Sequence, residues 1–457
     1  MPDHNARSFT FDETIAFDPV AAEAALAAIP ARAGVFGLYG ARETDEPYLT
    51  RCANLQRRIR RILQPPVGAT KRLNLREKVA RIEYTVTGSE LESLLTLYHA
   101  TVAGFGRDAA RRRMRLHTPF FVRFAMENAY PRAYVTNRLS RRAMDYFFGP
   151  YPSRAAADRA LNEVLNLFKL RRCVEELAPD PSHPGCVYSE MKMCLAPCFK
   201  GCSDERYAEE SRAVFEFFRT HGESMLAKLA IERDVASAAM EFEQAAAVHE
   251  KIVKVKAAAQ CSDEMVRPLD QLNAVVVLPA AGALPAAGAL PAAGDADEVA
   301  LFAVRHGCIG HPALFSTLGM RHANEDSGST SLFAQPHMLA AVPLDEKGEA
   351  ALAAPIETTE ERLRRALLEL LPPETKEDSM DGLSDHLSLL RRWYYRPVKQ
   401  RVGEIFFTEP GVADAGLPVR RILRGISRVC MKPGPAAPPA RISPDSVLFP
   451  DKDSPVD

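Results

Sequence analysis

Five of the nine cysteines in this 457-residue chain lie between Cys173 and Cys202. Thiolates bind soft and borderline metals, so four of them can close a tetrahedral zinc site or hold an iron–sulfur cluster. Zinc fingers and ribbons usually carry two tight pairs of ligands, whereas only the last pair is tight here. This spacing favours an iron–sulfur cluster, with zinc or unrelated packing thiols as alternatives and Cys202 as a bystander. The predicted metal ligands are Cys173, Cys186, Cys194 and Cys198.

The part of the chain before these cysteines is basic. Lysine and arginine outnumber aspartate and glutamate by 28 to 17 over residues 1–172, while the rest of the chain is acidic. Such a surface favours a polyanion partner, because each neutralised phosphate releases counterions. The alternative is a set of solvated faces paired with local acids. We predict DNA contacts from the basic runs, at Arg51, Arg57, Arg60, Arg61, Lys71, Arg72, Arg111, Arg112 and Arg113.

Several function classes are not expected from this sequence. No apolar run is long enough to cross a bilayer, and the polar N-terminus does not resemble a secretory signal, so we expect a cytoplasmic protein. Thiols in such a reducing compartment stay free, which again favours metal binding over disulfides. There is no Walker-type phosphate loop, so we expect no nucleotide partner.

The elements that must position these residues follow a mixed α/β pattern. Two short strands, a helix with an arginine-rich outer face, a third strand and a second helix form a small α/β module. Ser89 and Glu92 open that second helix with a capping-box pattern. The predicted regions are an α/β module at 20–105, a basic linker subdomain with the cysteines at 118–202, a helical hairpin at 203–258, a small mixed β domain at 265–330 with an Ala/Pro/Gly insert at 279–295, a helical C-terminal region at 355–430 and a disordered tail at 433–457.

Several motifs, in order, resemble the UvrC family of excinucleases over about residues 25–330. The segments FGPYPS, LFKLRRC and CLAPC are similar to the region that carries the family's cysteines. The segment MEFEQAAAVHEKI resembles the UVR motif, a short helical hairpin. Upstream, GVFGLYG followed by PYLTRCANLQRRIRRI resembles the GIY-YIG nuclease module.

This resemblance implies a protein that incises DNA beside a lesion during nucleotide excision repair. In the family, the GIY-YIG module makes the 3′ cut with one divalent metal, Mg²⁺ or Mn²⁺, held by a glutamate. The family tyrosine falls on Tyr48 and the phosphate-stabilising arginine on Arg58. The cysteines would hold a four-iron cluster. The hairpin would dock on a UvrB-like helicase through Phe242, Glu243, Ala245, Ala246 and Ile252.

The nuclease-like module departs from the family pattern. Phe36 replaces the first motif tyrosine, and the metal glutamate aligns with Leu97. A one-metal phosphodiesterase without its metal carboxylate loses most of its rate. We therefore predict a degenerate centre in which Glu90 and Glu92 are cap and surface charges. The family's RNase H-like half is not visible after residue 330, so no 5′ incision is expected.

Two other interpretations stay open. In one, the chain is an active structure-specific endonuclease in which Glu90, Glu92 or another carboxylate holds the metal. In the other, it is a non-catalytic scaffold whose cluster responds to redox state. A nicking assay separates the first alternative from a degenerate protein, and DNA affinity before and after cluster oxidation tests the second.

Overall fold

The computed structural model describes residues 9–42, 44–65, 73–174, 176–281, 298–317, 358–370, 380–408 and 416–431. Over these residues the chain is mixed α/β, with helices and small antiparallel sheets, and the predicted fold class is confirmed at that level. The predicted insert beyond residue 281 and the tail at 433–457 lie outside the described residues. No helix in these ranges is both long and apolar enough to span a membrane.

The first unit is a four-stranded antiparallel sheet with helices on both faces. The strand order is β1-β4-β2-β3. Helix α2 begins where the Asn54 side chain accepts a hydrogen bond from the Arg57 amide at 2.8 Å, and it buries one apolar stripe against the sheet. The elements are β1 (Glu13–Ala16), α1 (Ala22–Ala28), β2 (Gly34–Tyr39), β3 (Tyr48–Cys52), α2 (Leu55–Leu63), β4 (Arg81–Val86), α3 (Glu90–Phe105) and α4 (Arg107–Met114).

The second unit contains a sheet of order β6-β5-β7-β8, the cysteine loop and a group of helices. Its core packs aromatic rings from β5 and β7 against α5, α7 and α9. Between α8 and α9 the chain turns at Met240, which has a positive φ of 60°. The elements are β5 (Phe120–Phe124), β6 (Ala133–Thr136), β7 (Phe147–Tyr151), α5 (Arg154–Leu165), α6 (Val187–Glu190), α7 (Asp204–Arg219), α8 (Glu223–Ala238), α9 (Phe242–Ala259) and β8 (Arg267–Pro268).

The third unit is a sheet of order β11-β10-β9-β12 covered by three helices. Strand β12 comes from the region predicted as helical, yet it pairs with β9, so residues before 317 and after 358 build one sheet. Its elements are β9 (Ala274–Pro279), β10 (Glu298–Arg305), β11 (Cys308–Ser316), α10 (Thr359–Leu370), α11 (Met380–Tyr394), β12 (Glu404–Phe407) and α12 (Val419–Met431).

One apolar core joins the three units. Tyr98 of α3, Phe147 of β7, Val276 of β9 and Trp393 of α11 all belong to the same buried cluster. Helix α11 is therefore packed against the first unit as well as against its own sheet. This packing places the end of α11 beside the first turn of α3.

Candidate cysteine centre and nucleic-acid interface

The four predicted metal ligands line one small recess. Cys173 follows α5, Cys186 caps the N-terminus of α6, and Cys194 and Cys198 lie on the turn that follows. The Asp180 amide donates to the Cys198 carbonyl at 2.8 Å, which closes the loop on itself. The recess is lined by these four thiols together with Arg171, Arg172, Leu177, Tyr188 and Pro197. Cys202 lies outside it, half-buried against the apolar core.

The thiols are close enough to influence one another. The pKa of Cys194 is raised to about 11, chiefly by burial and also by the negative charges of the other three thiols, although a hydrogen bond from the Ala196 amide opposes this shift. A group of thiols that resists ionisation becomes a group of thiolates when a cation compensates their charge. The donor set and its shared recess therefore fit a thiolate-bound metal. In the described ranges, however, no three cysteine, histidine, aspartate or glutamate side chains already converge as a metal-holding group.

A buried arginine lies beside these thiols and was not predicted. Arg171 is only 3% exposed, and its guanidinium donates to the Tyr130 carbonyl at 2.9 Å and to the Cys173 sulfur at 3.5 Å. Its amide bonds the hydroxyl of Tyr207, which in turn donates to the Pro131 carbonyl. The cysteine loop is thus tied to the β5–β6 turn and to α7. The sequence feature that could have pointed to Arg171 is its position two residues before Cys173, in the string LRRC.

The two predicted catalytic residues lie together. The Arg58 guanidinium donates to the Tyr48 hydroxyl at 3.4 Å, and the Tyr48 ring packs near Phe36 with ring centres 6.2 Å apart. Strand β3 and helix α2 supply the pair, since α2 starts three residues after β3 ends. The arrangement offers a cation and a hydroxyl to a phosphate.

Leu97, which the family resemblance aligns with a metal-binding glutamate, packs on the face of the sheet opposite to Tyr48. It lies in an apolar cluster with Val35, Leu49, Phe9 and Phe11, whereas Tyr48 packs with the α2 side of the core. Alternate residues of a strand point to opposite faces, which accounts for this separation. The surroundings of Leu97 are therefore apolar and contain two phenylalanines from the N-terminal segment.

The two nearby glutamates already have partners. The Glu92 amide donates to the Ser89 side chain, as the predicted capping box requires, but the Glu92 carboxylate accepts from the Gly88 amide at 2.7 Å, one residue before the cap. Burial raises the pKa of Glu92 to about 7 despite these bonds. Glu90 bonds Arg51 at 3.1 Å and also pairs with Arg396, which follows α11. That contact with the C-terminal region was not predicted, because nothing local in the sequence links residues so far apart.

The predicted DNA-binding residues divide into paired and exposed groups. Arg51 pairs with Glu90, Arg60 with Glu23 at 2.9 Å, and Arg113 with Glu46 at 3.4 Å. Arg111 pairs with Asp381 and with the buried Asp385. Exposed side chains remain at Arg57, Arg61 and Arg112. Lys71 and Arg72 lie outside the described residues.

The hairpin of α8 and α9 exposes large apolar side chains near its turn. Met240 is 76% exposed and Phe242 is 69% exposed. Of the other predicted partner-binding residues, Glu243 and Ala246 are exposed and Ala245 is half-buried. Ile252 lies in the core of the second unit at 6% exposure, so it supports α9 from within.

Three histidines that are distant in sequence meet where α3, β11 and α11 pack together. The ring of His99 lies 5.7 Å from that of His311 and 5.9 Å from that of His386. The His386 Nδ1 atom accepts from the Ile309 amide at 3.0 Å. Burial lowers the pKa of His386 to about 4, with contributions from Arg107 and His311, and lowers the pKa of His99 to about 3.

Because of this histidine cluster, we expect the folded protein to lose stability in mild acid. An unfolded histidine titrates near pH ~6.5, so between that pH and about 4 the unfolded chain binds more protons than the folded chain, and stability falls as pH falls. The contribution of His386 corresponds to about 2 kcal/mol lost between pH 7 and pH 5. His386→Asn keeps an acceptor for the Ile309 amide but does not titrate, so denaturant unfolding should show a shallower pH dependence. His117→Asn, at an exposed histidine, is the control, and equal pH dependence in both variants and the unaltered chain would contradict this account.

Comparison of the sequence with known proteins finds several relatives that carry the same name. Residues 120–217 match the family UvrC/Cho excinuclease, middle domain. UvrABC system protein C of Alcanivorax borkumensis is 28% identical over 223 residues, which is 47% of this chain and 35% of the relative. The protein of the same name from Aliivibrio salmonicida is 27% identical over 262 residues, or 56% of this chain and 42% of the relative. That of Pseudomonas syringae pv. syringae is 28% identical over 243 residues, or 53% and 39%.

The chain thus spans about two fifths of the length of these curated relatives. No solved structure matches it. The matched middle domain runs from β5 to α7 and includes all four cysteines of the recess. About half of the chain is therefore similar to UvrC proteins, and the four cysteines of the recess lie inside the segment that matches the middle domain of that family.

Proposed function

We propose that this chain is a DNA-binding protein of nucleotide excision repair whose nuclease-like module no longer cuts. The observation that carries the second half of the proposal is Leu97, which lies in an apolar cluster where the family resemblance calls for a metal-binding carboxylate. The contact between Tyr48 and Arg58 supports retained phosphate binding. A module of this kind would hold DNA without hydrolysing it.

The nearby carboxylates do not substitute easily for the missing glutamate. Glu90 is shared by two arginines, and Glu92 accepts a bond from the Gly88 amide at the start of α3. If Glu90 bound a metal, it would leave its two arginines without their shared partner. If Glu92 bound a metal, the Gly88 amide at the start of α3 would lose its acceptor. The alternative, an active endonuclease, is favoured only by the Tyr48–Arg58 contact.

A nicking assay decides between these two functions. Lesion-containing duplex would be incubated with the full chain and Mg²⁺ or Mn²⁺, beside Tyr48→Phe and Arg58→Ala variants. We expect no nicking above the level of the variants. Nicking by the unaltered chain that both substitutions abolish would establish an active nuclease and overturn the degenerate interpretation.

DNA binding is expected to depend on the exposed outer face of α2. The double change Arg57→Gln and Arg61→Gln removes two cations four residues apart on a helix, where they reach neighbouring phosphates. Duplex affinity should fall by about tenfold, and the slope of log K against log salt should become shallower by about 2. Fluorescence anisotropy at several salt concentrations measures both quantities. The control is Arg212→Gln with Arg233→Gln on α7 and α8, and equal losses in the two double variants would count against an α2 interface.

For the cysteine centre we propose a four-iron, four-sulfur cluster, with zinc as the alternative. The cysteines that would hold it are Cys173, Cys186, Cys194 and Cys198, which share one recess. Such a cluster has a structural role here, binding the loop to the rest of the middle domain. Arg171 supports this assignment, because a buried guanidinium beside a thiolate compensates part of the negative charge of a cluster.

A UvrB-like helicase is the proposed protein partner, docking on the α8–α9 hairpin. An exposed aromatic side chain near a helix turn is a typical anchor for a partner pocket. Phe242→Ala is expected to weaken binding of a UvrB-like protein by about tenfold or more in a titration, with little change in folding since the ring is exposed. Val20→Ala, at another exposed apolar side chain, is the control. A chain that binds no UvrB-like protein, or a Phe242→Ala variant that binds equally well, would refute the hairpin assignment.

A further inference from the structure

The C-terminal unit contains a pocket of about 460 Å³ whose lining includes none of the residues assigned to DNA, metal or partner binding. It lies between the end of α11, the loop that follows, β12 and the last turns of α12. Its volume is within the range of about 300–1,000 Å³ that is usual for small-ligand sites. We call it the C-terminal pocket, and its lining residues include Tyr394, Lys399, Arg401, Glu404, Phe407 and Arg428.

The loop that forms one wall is fixed in position. The Arg401 guanidinium donates to the Tyr394 carbonyl at 2.9 Å, and the Trp393 indole donates to the Val402 carbonyl at 3.3 Å. Gly403 has a φ of +93°, and a Cβ there would lie 2.3 Å from the Leu278 side chain. The wall is therefore a built feature that approaches β9 closely, and only glycine fits at that point.

The pocket combines aromatic rings with guanidinium groups. The Arg401 guanidinium carbon lies 5.0 Å from the centre of the Tyr394 ring, and behind the lining the guanidinium carbon of Arg267 lies 4.7 Å from the centre of the Phe407 ring. Tyr394 is half-buried, so part of its ring faces the pocket. Aromatic rings and guanidinium planes are the surfaces on which unpaired nucleobases stack.

The charges around the pocket favour an anion. Of the two lining carboxylates, Glu404 is bonded by Arg428 at 2.7 Å, and Glu264 is the other. Lys399 is exposed at the rim. Behind the lining, burial lowers the pKa of Arg267; the negative charge of Glu264 opposes this shift, and the positive charge of Arg421 adds to it. Arg267 and Arg421 thus add two cations near the Glu264 side of the pocket. A phosphate at the rim would find more positive than negative charge.

We infer that the C-terminal pocket binds a nucleotide of single-stranded nucleic acid, with the base against Tyr394 and Arg401 and the phosphate near Lys399. This site is separate from the α2 surface proposed for duplex DNA, and all of its lining residues except Glu264 lie beyond the part of the chain that resembles the UvrC family. It gives the protein a way to hold an unpaired strand while α2 holds the duplex.

The test uses the full chain and a fluorescent oligothymidylate. Lys399→Glu and Val398→Asp, both at exposed rim positions, should each weaken single-strand binding by about tenfold and leave duplex binding within about twofold. The matched control is Lys254→Glu on α9, which should bind normally. Thymidine 5′-monophosphate should compete for the oligonucleotide, whereas the same concentration of inorganic phosphate should not. When an oligonucleotide that contains 5-iododeoxyuridine is photocrosslinked to the protein, it should become attached to the peptide that contains Tyr394.

Each other result overturns the inference. No binding of oligothymidylate by the unaltered chain refutes it, whatever the duplex assay shows. Unchanged affinity in both rim variants, or crosslinks confined to other peptides, places the single strand elsewhere. Equal competition by inorganic phosphate reduces the site to a general anion site. Because duplex binding and Arg57/Arg61 variants test the excision-repair proposal, the two can fail independently.

Discussion

Replacing Arg111 with methionine should lower the free energy of unfolding by about 3 kcal/mol. Asp385 is 1% exposed, and its carboxylate accepts from the Arg111 Nε at 2.7 Å and from the Tyr98 hydroxyl at 3.0 Å. Burial raises the pKa of Asp385, and the bond to Arg111 opposes that shift. Without the Arg111 guanidinium, the buried carboxylate keeps the neutral Tyr98 hydroxyl and the positive charge of Arg107. Removing the bonded partner of a buried charge is among the costliest single changes.

Arg112 provides a matched control for this change. It is the next residue on α4, is exposed, and is the same residue type, so Arg112→Met should change the free energy of unfolding by less than about 0.5 kcal/mol. Denaturant unfolding of both variants gives the comparison. The double variant Arg111→Met with Asp385→Asn should recover part of the loss, because the buried charge is removed with its partner. Equal stability of the Arg111 and Arg112 variants would show that the pair does not join α4 to α11.

Cys194→Ser is expected to abolish the metal content of the protein. Cys194 lies among the four recess thiols, and burial raises its pKa to about 11, so its thiolate forms only with a compensating metal. A serine oxygen is a poor ligand for iron–sulfur or zinc centres. After anaerobic purification, the unaltered chain should contain about four irons and absorb visible light, while the variant should show neither. Its middle domain should also unfold more readily, since metal-binding energy is folding energy.

The nearest cysteine outside the recess gives the control for that experiment. Cys202→Ser alters a half-buried thiol that packs against the core, so iron content and the visible spectrum should stay as in the unaltered chain. If the unaltered chain contains zinc and no iron, the four cysteines hold zinc and not an iron–sulfur cluster. Metal content that survives in Cys194→Ser and disappears in Cys202→Ser would show that the ligand set has been assigned incorrectly.

Local patterns predicted much of the helical structure and the pairing of nearby residues. The arginine face of α2 followed from apolar spacing, and the contact of Tyr48 with Arg58 follows from a motif that fixes a strand and the helix after it. The four cysteines share a recess because their loop is short and folds on itself. Such features depend on residues close in sequence, where spacing determines distance.

Features that depend on distant residues could not be predicted. The local pattern does not predict strand β7, since glycine and proline interrupt it. A Cβ at Gly149 would lie 2.4 Å from the Phe121 ring, so close packing in the folded chain requires glycine. The ion pairs Arg111–Asp385 and Glu90–Arg396 join residues more than 250 positions apart. A basic run in the sequence does not show which of its arginines are paired with acidic residues in the folded chain.

Strand β9 emerges from the ribosome long before its neighbour. All six of its residues are buried between β10 and β12, and β12 begins about 125 residues after β9 ends. Until β12 is synthesised, one hydrogen-bonding edge of an apolar strand stays open, and such an edge readily pairs with another chain. The C-terminal sheet therefore closes only when nearly the whole protein has been made. Expression fragments that end near residue 330 should consequently aggregate, although the sequence pattern favours a domain boundary there.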